Sequence, residues 1–194
     1  MPTPDRRRLE PDARREQLLE CAIRLFGERS FAEVSTTDIA REAGIARGLL
    51  NHYFGTKREL YLEVVRHIVL IPEDLQTPTG TGTLKQRVAL GVAWFLDSIE
   101  GHRSTFLAVT RAGGDDPDLE QILNQADDDA ARRVLAVVGL DDNHPGQLAA
   151  IRAYGGLAKS AVKEWKRGAL SREQVQLLLS AALLAIVKQV LPSL

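Results

Sequence analysis

One cysteine, Cys21, stands in 194 residues, so no intrachain disulfide can form and no cysteine-based metal site can be assembled. That scarcity fits a reducing compartment. The four histidines, His52, His67, His102 and His144, never recur at His-x-x-x-His spacing, which argues against a zinc site. Net charge is nearly absent, at −1; residues 1–70 lean to +1 and the remainder to −2. Bulk charge therefore says nothing about nucleic acid, and any such case must rest on where individual basic residues sit. Asp5, Arg6, Arg7 and Arg8 are followed by no apolar core, so the N-terminus is not read as a signal peptide. No apolar stretch is expected to span a bilayer, and a soluble, cytoplasmic protein without membrane partners is anticipated. Glycine loops for phosphate are missing, since Gly80–Gly82 precedes neither a lysine motif nor a strand. Nor can a nucleophile, a base and an orienting group be assembled. The expectation is no enzyme, no cofactor and no metal.

Asp127, Asp128 and Asp129 invite a metal reading, but neighbouring helical positions diverge by about 100° and cannot converge on one ion. Pairing of Asp128 with Arg132 and of Asp129 with Arg133, each four residues on, is expected instead.

What recurs from end to end is helical spacing with cap signals, with no sustained strand alternation, so the fold class is all-α. Helices are expected over about 12–28, 36–43, 47–54, 57–70, 84–99, 104–110, 116–138, 146–167 and 171–191. Asp116-Pro117 is a specific start signal, and Ser171-x-x-Gln174 forms a capping box. The stretch 71–83 (IPEDLQTPTGTGT) reads as a linker between a domain at 1–70 and another at 84–194.

The informative segment is Phe31–Tyr61, FAEVSTTDIAREAGIARGLLNHYFGTKRELY. It reads as three capped helices in quick succession. Ser35-x-x-Asp38 caps the first, and Gly44 allows the left-handed backbone of a tight turn. The second should bury Leu50 and Phe54, turning Arg47, Asn51, His52 and Tyr53 mainly outward. Arginine can bond both acceptors of a guanine edge and asparagine both groups of an adenine edge. Gly48 would let a backbone come close to DNA. Thr56-x-x-Glu59 caps the third helix and puts Lys57 in its first turn, where an anion would satisfy lysine, free N–H groups and helix dipole together.

The run TTDIAREAGIARGLLNHYFGTKREL resembles the DNA-binding helices of the TetR family: a Thr-rich start, "DIA..AGV", a recognition helix ending in "YF" or "HF", and a lysine soon after. The resemblance implies phosphate contacts from Thr36, Thr37 and Lys57, and base or backbone contacts from Arg47, Gly48, Asn51, His52 and Tyr53. Two positions depart from the pattern: Asn51 stands where Tyr is common, and Ala46 where Ser or Thr usually caps the recognition helix. Arg6–Arg8 fit a minor-groove arm and a solvated tail equally well.

For the second domain, the resemblance implies a helical bundle around an apolar pocket for a small-molecule inducer. Trp94, Phe95, Phe106 and Tyr154 are its candidate lining. The last two long helices are expected to pair with those of a twin through Ile151, Ala158, Val162, Leu179, Ala182, Leu183 and Ile186. The expected partners are operator DNA, a second copy of the chain and an apolar or amphipathic inducer, in a repressor. The competing readings are a helical interaction module and an enzyme in the C-terminal half; binding to DNA separates them.

Overall fold

A computed structural model of the chain describes residues 11–70, 81–101 and 116–194, and among them there is no strand. The described helices are α1 (Pro11–Glu28), α2 (Thr36–Glu42), α3 (Arg47–Phe54), α4 (Lys57–Val69), α5 (Leu84–Gly101), α6 (Pro117–Val138), α7 (Pro145–Lys166) and α8 (Arg172–Ala185). The fold is all-α, as its periodicity indicates. Arg6–Arg8, most of the 71–83 stretch, His102 and the helix expected at 104–110, with Phe106, lie outside the described residues.

By contact, residues 11–69 with 116–120 form one unit, and Leu70, 81–101 and 121–194 another. The first turn of α6 thus groups with the N-terminal unit and not with 84–194. A guanidinium explains it: Arg58 on α4 binds Asp116 at 2.8 Å and Asp118 at 2.7 Å. Arg58 also holds the Asp116 carboxyl below its ordinary range. Asp116 in turn accepts the backbone N–H groups of Asp118 and Leu119, so one side chain both caps α6 and ties it to α4.

Within the N-terminal unit, Leu18, Ala22, Leu25 and Phe26 of α1 are buried in one core with Ile39, Leu50, Leu60 and Val64. The capping box at Ser35 is complete, with Asp38 returning the bond. Between α2 and α3 the chain reverses at Gly44, whose φ of 66° is left-handed. Ile45 N–H then donates back to the Ala40 carbonyl at 2.9 Å, closing the turn.

In the second unit Arg87 on α5 donates to the last carbonyls of α6, Val137 and Val138, each at 2.9 Å. Helix α7 begins at Pro145, one residue before expectation, because proline suits a first helical position whose N–H has no partner. The Ser171 box opens α8 as anticipated. A π-helical turn (Ile186–Val190) and a 3-10 turn (Leu191–Ser193) continue it through Pro192, past the end at 191 expected from sequence.

Three expectations need correction. The aspartate run pairs chiefly across helices: Asp127 binds Lys159 at 2.5 Å and Asp128 binds Arg152 at 2.6 Å, both on α7, while Asp129 takes Arg132. Longer-range partners are invisible to i,i+4 counting. Ile151, Ala158, Val162, Leu179 and Leu183 are buried within one chain, in its own core; Ala182 and Ile186 are half-buried. Apolar spacing marked the inward face, whereas the outward one is carried by Leu157, Leu177 and Leu178. Finally, Arg172–Ser193 is long and apolar enough to cross a membrane by length and composition, because the terminal turns extend the helical run. Cys21 is buried, as a small core residue would be.

A Cβ at Gly44 would meet nothing within 4 Å, so its replacement tests backbone conformation alone. Gly44→Ala should destabilise the protein by about 1–2 kcal/mol in thermal or urea unfolding, the cost of left-handed backbone. An unchanged midpoint would contradict the turn geometry.

Candidate nucleic-acid interface

Burial on α3 is one-sided. Leu50 and Phe54 enter the core, and Arg47, Gly48, Asn51 and His52 are exposed. Tyr53 is half-buried, its ring edge-on to His52 at 5.6 Å. Arg15 reaches from α1 to lie over the Phe54 ring at 4.9 Å while pairing with Glu63 of α4, so α3 is gripped at its C-terminal end from two sides. At its start the N-cap is Ala46, which offers no side-chain bond. The first amides of α3 are therefore without a serine or threonine oxygen, and their positive end faces outward.

Beside α3 lies an open cleft of about 470 Å³, lined among others by Ser35, Thr36, Arg47, Asn51, Thr56 and Lys57. Four residues singled out from sequence, Thr36, Arg47, Asn51 and Lys57, thus converge on one concavity. Thr37, Gly48, His52 and Tyr53 are not part of its lining. Thr37 is exposed in the first turn of α2. Two cations and no carboxylate line the cleft. The nearby acids are occupied: Asp38 bonds the Ser35 hydroxyl and N–H, and Glu59 those of Thr56. Those bonds hold both carboxyls below the ordinary range, so each stays ionised and turned to its cap.

Lys57 has a partner that sequence reasoning missed. Its ammonium lies 4.2 Å from the centroid of the Phe31 ring, and Phe31 packs on Tyr61 at 4.9 Å, which meets Phe26 at 5.1 Å. An aromatic face attracts a cation without neutralising it, and so restrains the side chain while leaving its charge available. Nothing in the spacing of Phe31 and Lys57 reveals this; the fold brings them together. An arrangement of two cations, three hydroxyls and an amide, beside a helix start without a side-chain cap, is suited to anionic oxygens.

Residues 18–64 match the family model described as bacterial regulatory proteins, tetR family. That segment is similar to the DNA-binding region of TetR-family regulators, and the fold of the chain is similar to that of solved members. Over 87 residues it is 39% identical to the HTH-type transcriptional regulator BetI of Brucella anthropi, covering 44% of each chain. Over 61 residues it is 43% identical to BetI of Agrobacterium fabrum, 31% of this chain and 29% of that one. The chain therefore spans less than half the length of these curated relatives. Its fold is similar over 92% of its length to a tetR-family transcriptional regulator from Streptomyces coelicolor, with 83% of that chain covered, a TM-score of 0.76 and 27% identity. FadR from Bacillus subtilis, solved in complex with stearoyl-CoA, shares the fold at a TM-score of 0.66 and 18% identity, over 89% of this chain and 97% of that one. The TetR-family match covers most of α1, all of α2 and α3 and the first part of α4, and includes every residue lining the cleft.

Removing a cation from a phosphate seat has a signature that sequence preference does not share. Lys57→Ala should weaken binding to duplexes of every sequence and lower the slope of log affinity against log salt by about 0.9. Fluorescence anisotropy over a KCl series measures both. An unchanged slope would remove Lys57 from the phosphate contacts.

Proposed function

We propose that the protein is a transcriptional repressor that binds a roughly palindromic operator as a homodimer and is released by a small amphipathic ligand. The observation that carries this reading is the pairing of an outward α3 bearing Arg47, Asn51 and His52 with the cationic cleft at its side. In it, Thr36, Thr37 and Lys57 hold phosphates and set register, while Arg47, Asn51 and His52 reach base edges in the major groove. Gly48 lets the helix approach, and Tyr53 supports His52. Phosphate contacts supply affinity and base contacts specificity.

Dimerisation is supported by what α8 leaves uncovered. Leu177 is 72% exposed, with Leu178 and Leu157 exposed too, and only 22% of the apolar stretch of the C-terminal helix is buried within one chain. So much apolar surface in water is unfavourable, and a two-fold pairing of α7 and α8 with their copies covers it. A two-fold reader calls for half-sites one helical turn, or a multiple, apart. Selection from random DNA tests the function directly; enrichment of an inverted repeat is expected, and no enrichment of any sequence would end the proposal. Leu177→Asp should keep the fold, since the residue is not in the core, yet shift sedimentation from dimer to monomer and abolish tight binding to the repeat. A wild-type monomer at micromolar concentration contradicts the dimer.

For the ligand, Trp94 and Phe95 on α5 are half-buried, and Tyr154 is buried with its hydroxyl donating to the Leu179 carbonyl at 3.1 Å. Trp94 and Phe95 are the stronger candidates for a pocket wall, because the Tyr154 hydroxyl is already satisfied. FadR of the same fold holds an acyl-CoA, which favours an amphipathic ligand. Helix α6 offers a route of coupling, since its first turn is tied to α4 through Arg58. Coupling is reciprocal: an inducer that weakens operator binding tenfold binds the operator complex tenfold more weakly. Titrating a ligand found by thermal-shift screening into free and operator-bound protein measures this, and equal dissociation constants exclude that ligand as inducer.

A further inference from the structure

Leu49 has no role in the contacts described so far, and its position on α3 is chemically odd. It is 37% exposed, beside Gly48 and three residues before His52, whereas Leu50 is fully buried. At about 100° per residue, Leu49 points away from the buried pair and onto the same outward face as Gly48 and His52. Its backbone is accounted for, with the N–H donating to the Ala46 carbonyl at 3.0 Å. Its side chain is not. A single exposed leucine is ordinary on most surfaces. Here it neighbours His52 on the outward face, on the edge opposite Arg47 and Asn51, polar groups of the kind that read base edges.

The chemistry of the groove narrows what such a side chain can meet. Major-groove edges present hydrogen-bond donors and acceptors, and one apolar group, the C5-methyl of thymine. An isobutyl group pressed onto bare acceptors would strip them of water and return nothing. Set against a methyl, it buries apolar surface on both sides. We propose that Leu49 is a specificity-determining residue that selects a thymine by its C5-methyl group. The inference rests on the reading of α3 as the recognition helix, and adds to the polar readers a contact of opposite chemistry.

Deoxyuridine differs from thymidine only in lacking that methyl, and keeps the same base pairing and acceptor. The test uses the duplex enriched by the full-length protein from random DNA, synthesised with thymine and again with deoxyuridine. Wild-type protein should bind the deoxyuridine duplex at least about fourfold more weakly, the effect of burying one methyl. Single replacements should localise the loss to one thymine in each half-site. Leu49→Ala should bind the thymine duplex more weakly and distinguish the two duplexes no longer, while Leu49→Met should restore the distinction. Thermal midpoints of both variants should match wild type, because the side chain is outside the core.

A wild-type ratio of one overturns the inference, and so does a ratio that survives in Leu49→Ala, which would place the methyl effect in DNA stiffness or another residue. Those failures are separable from failure of the function itself. If Arg47→Ala and Asn51→Ala still relax base preference while the deoxyuridine ratio is one, only Leu49 loses its role. If no duplex is enriched, the recognition helix falls and Leu49 with it.

Discussion

Leu50 and Phe54, four residues apart on α3, are buried in the core formed with α1, α2 and α4, and this anchoring fixes every other direction on the helix. With two side chains of an eight-residue helix committed inward, Gly48, Leu49 and His52 have to face outward, with Arg47 and Asn51 together along one edge of that face. The grip is completed by Arg15 over the Phe54 ring and by the Gly44 turn, which sets where α3 begins. Short helices are marginal alone, and α3 lacks even a side-chain N-cap, so its order comes from these tertiary contacts. A rigid presentation of few side chains is what selective recognition requires.

The same core explains why the cleft collects cations without carboxylates. Asp38 and Glu59 sit one turn into their helices and bend back to bond the residues that cap them, which uses their charge locally. Lys57, at the start of α4, is steadied by an aromatic ring. Cap chemistry and charge placement are thus one arrangement: the acids stabilise helix starts, and the space between those starts is left to Thr36, Arg47 and Lys57.

Local signals were legible in the sequence wherever the physics is local. The boxes at Ser35, Thr56 and Ser171, the Asp116-Pro117 start and the turn at Gly44 depend on residues within four positions of one another, and their sequence signatures correspond to the structure. What depends on distant parts of the chain was not legible. Asp128 finds Arg152 and not Arg132, Arg58 reaches Asp116, and Lys57 rests on Phe31, because packing of helices decides these partners. Spacing marks the apolar stripe of α7 and α8, and Ile151, Val162 and Leu179 of that stripe are buried within the chain itself. Periodicity tells which residues leave water and does not tell what they meet.

The central claim is that α3 reads DNA from the major groove. Dimethyl sulfate separates the grooves in one experiment, since it methylates guanine N7 in the major groove and adenine N3 in the minor groove. Premethylated duplex carrying the selected sequence, partitioned into bound and free fractions, should show bound DNA depleted of N7-methylguanine within each half-site and indifferent to N3-methyladenine there. Depletion confined to N3-methyladenine, or no depletion in either half-site, would contradict the account.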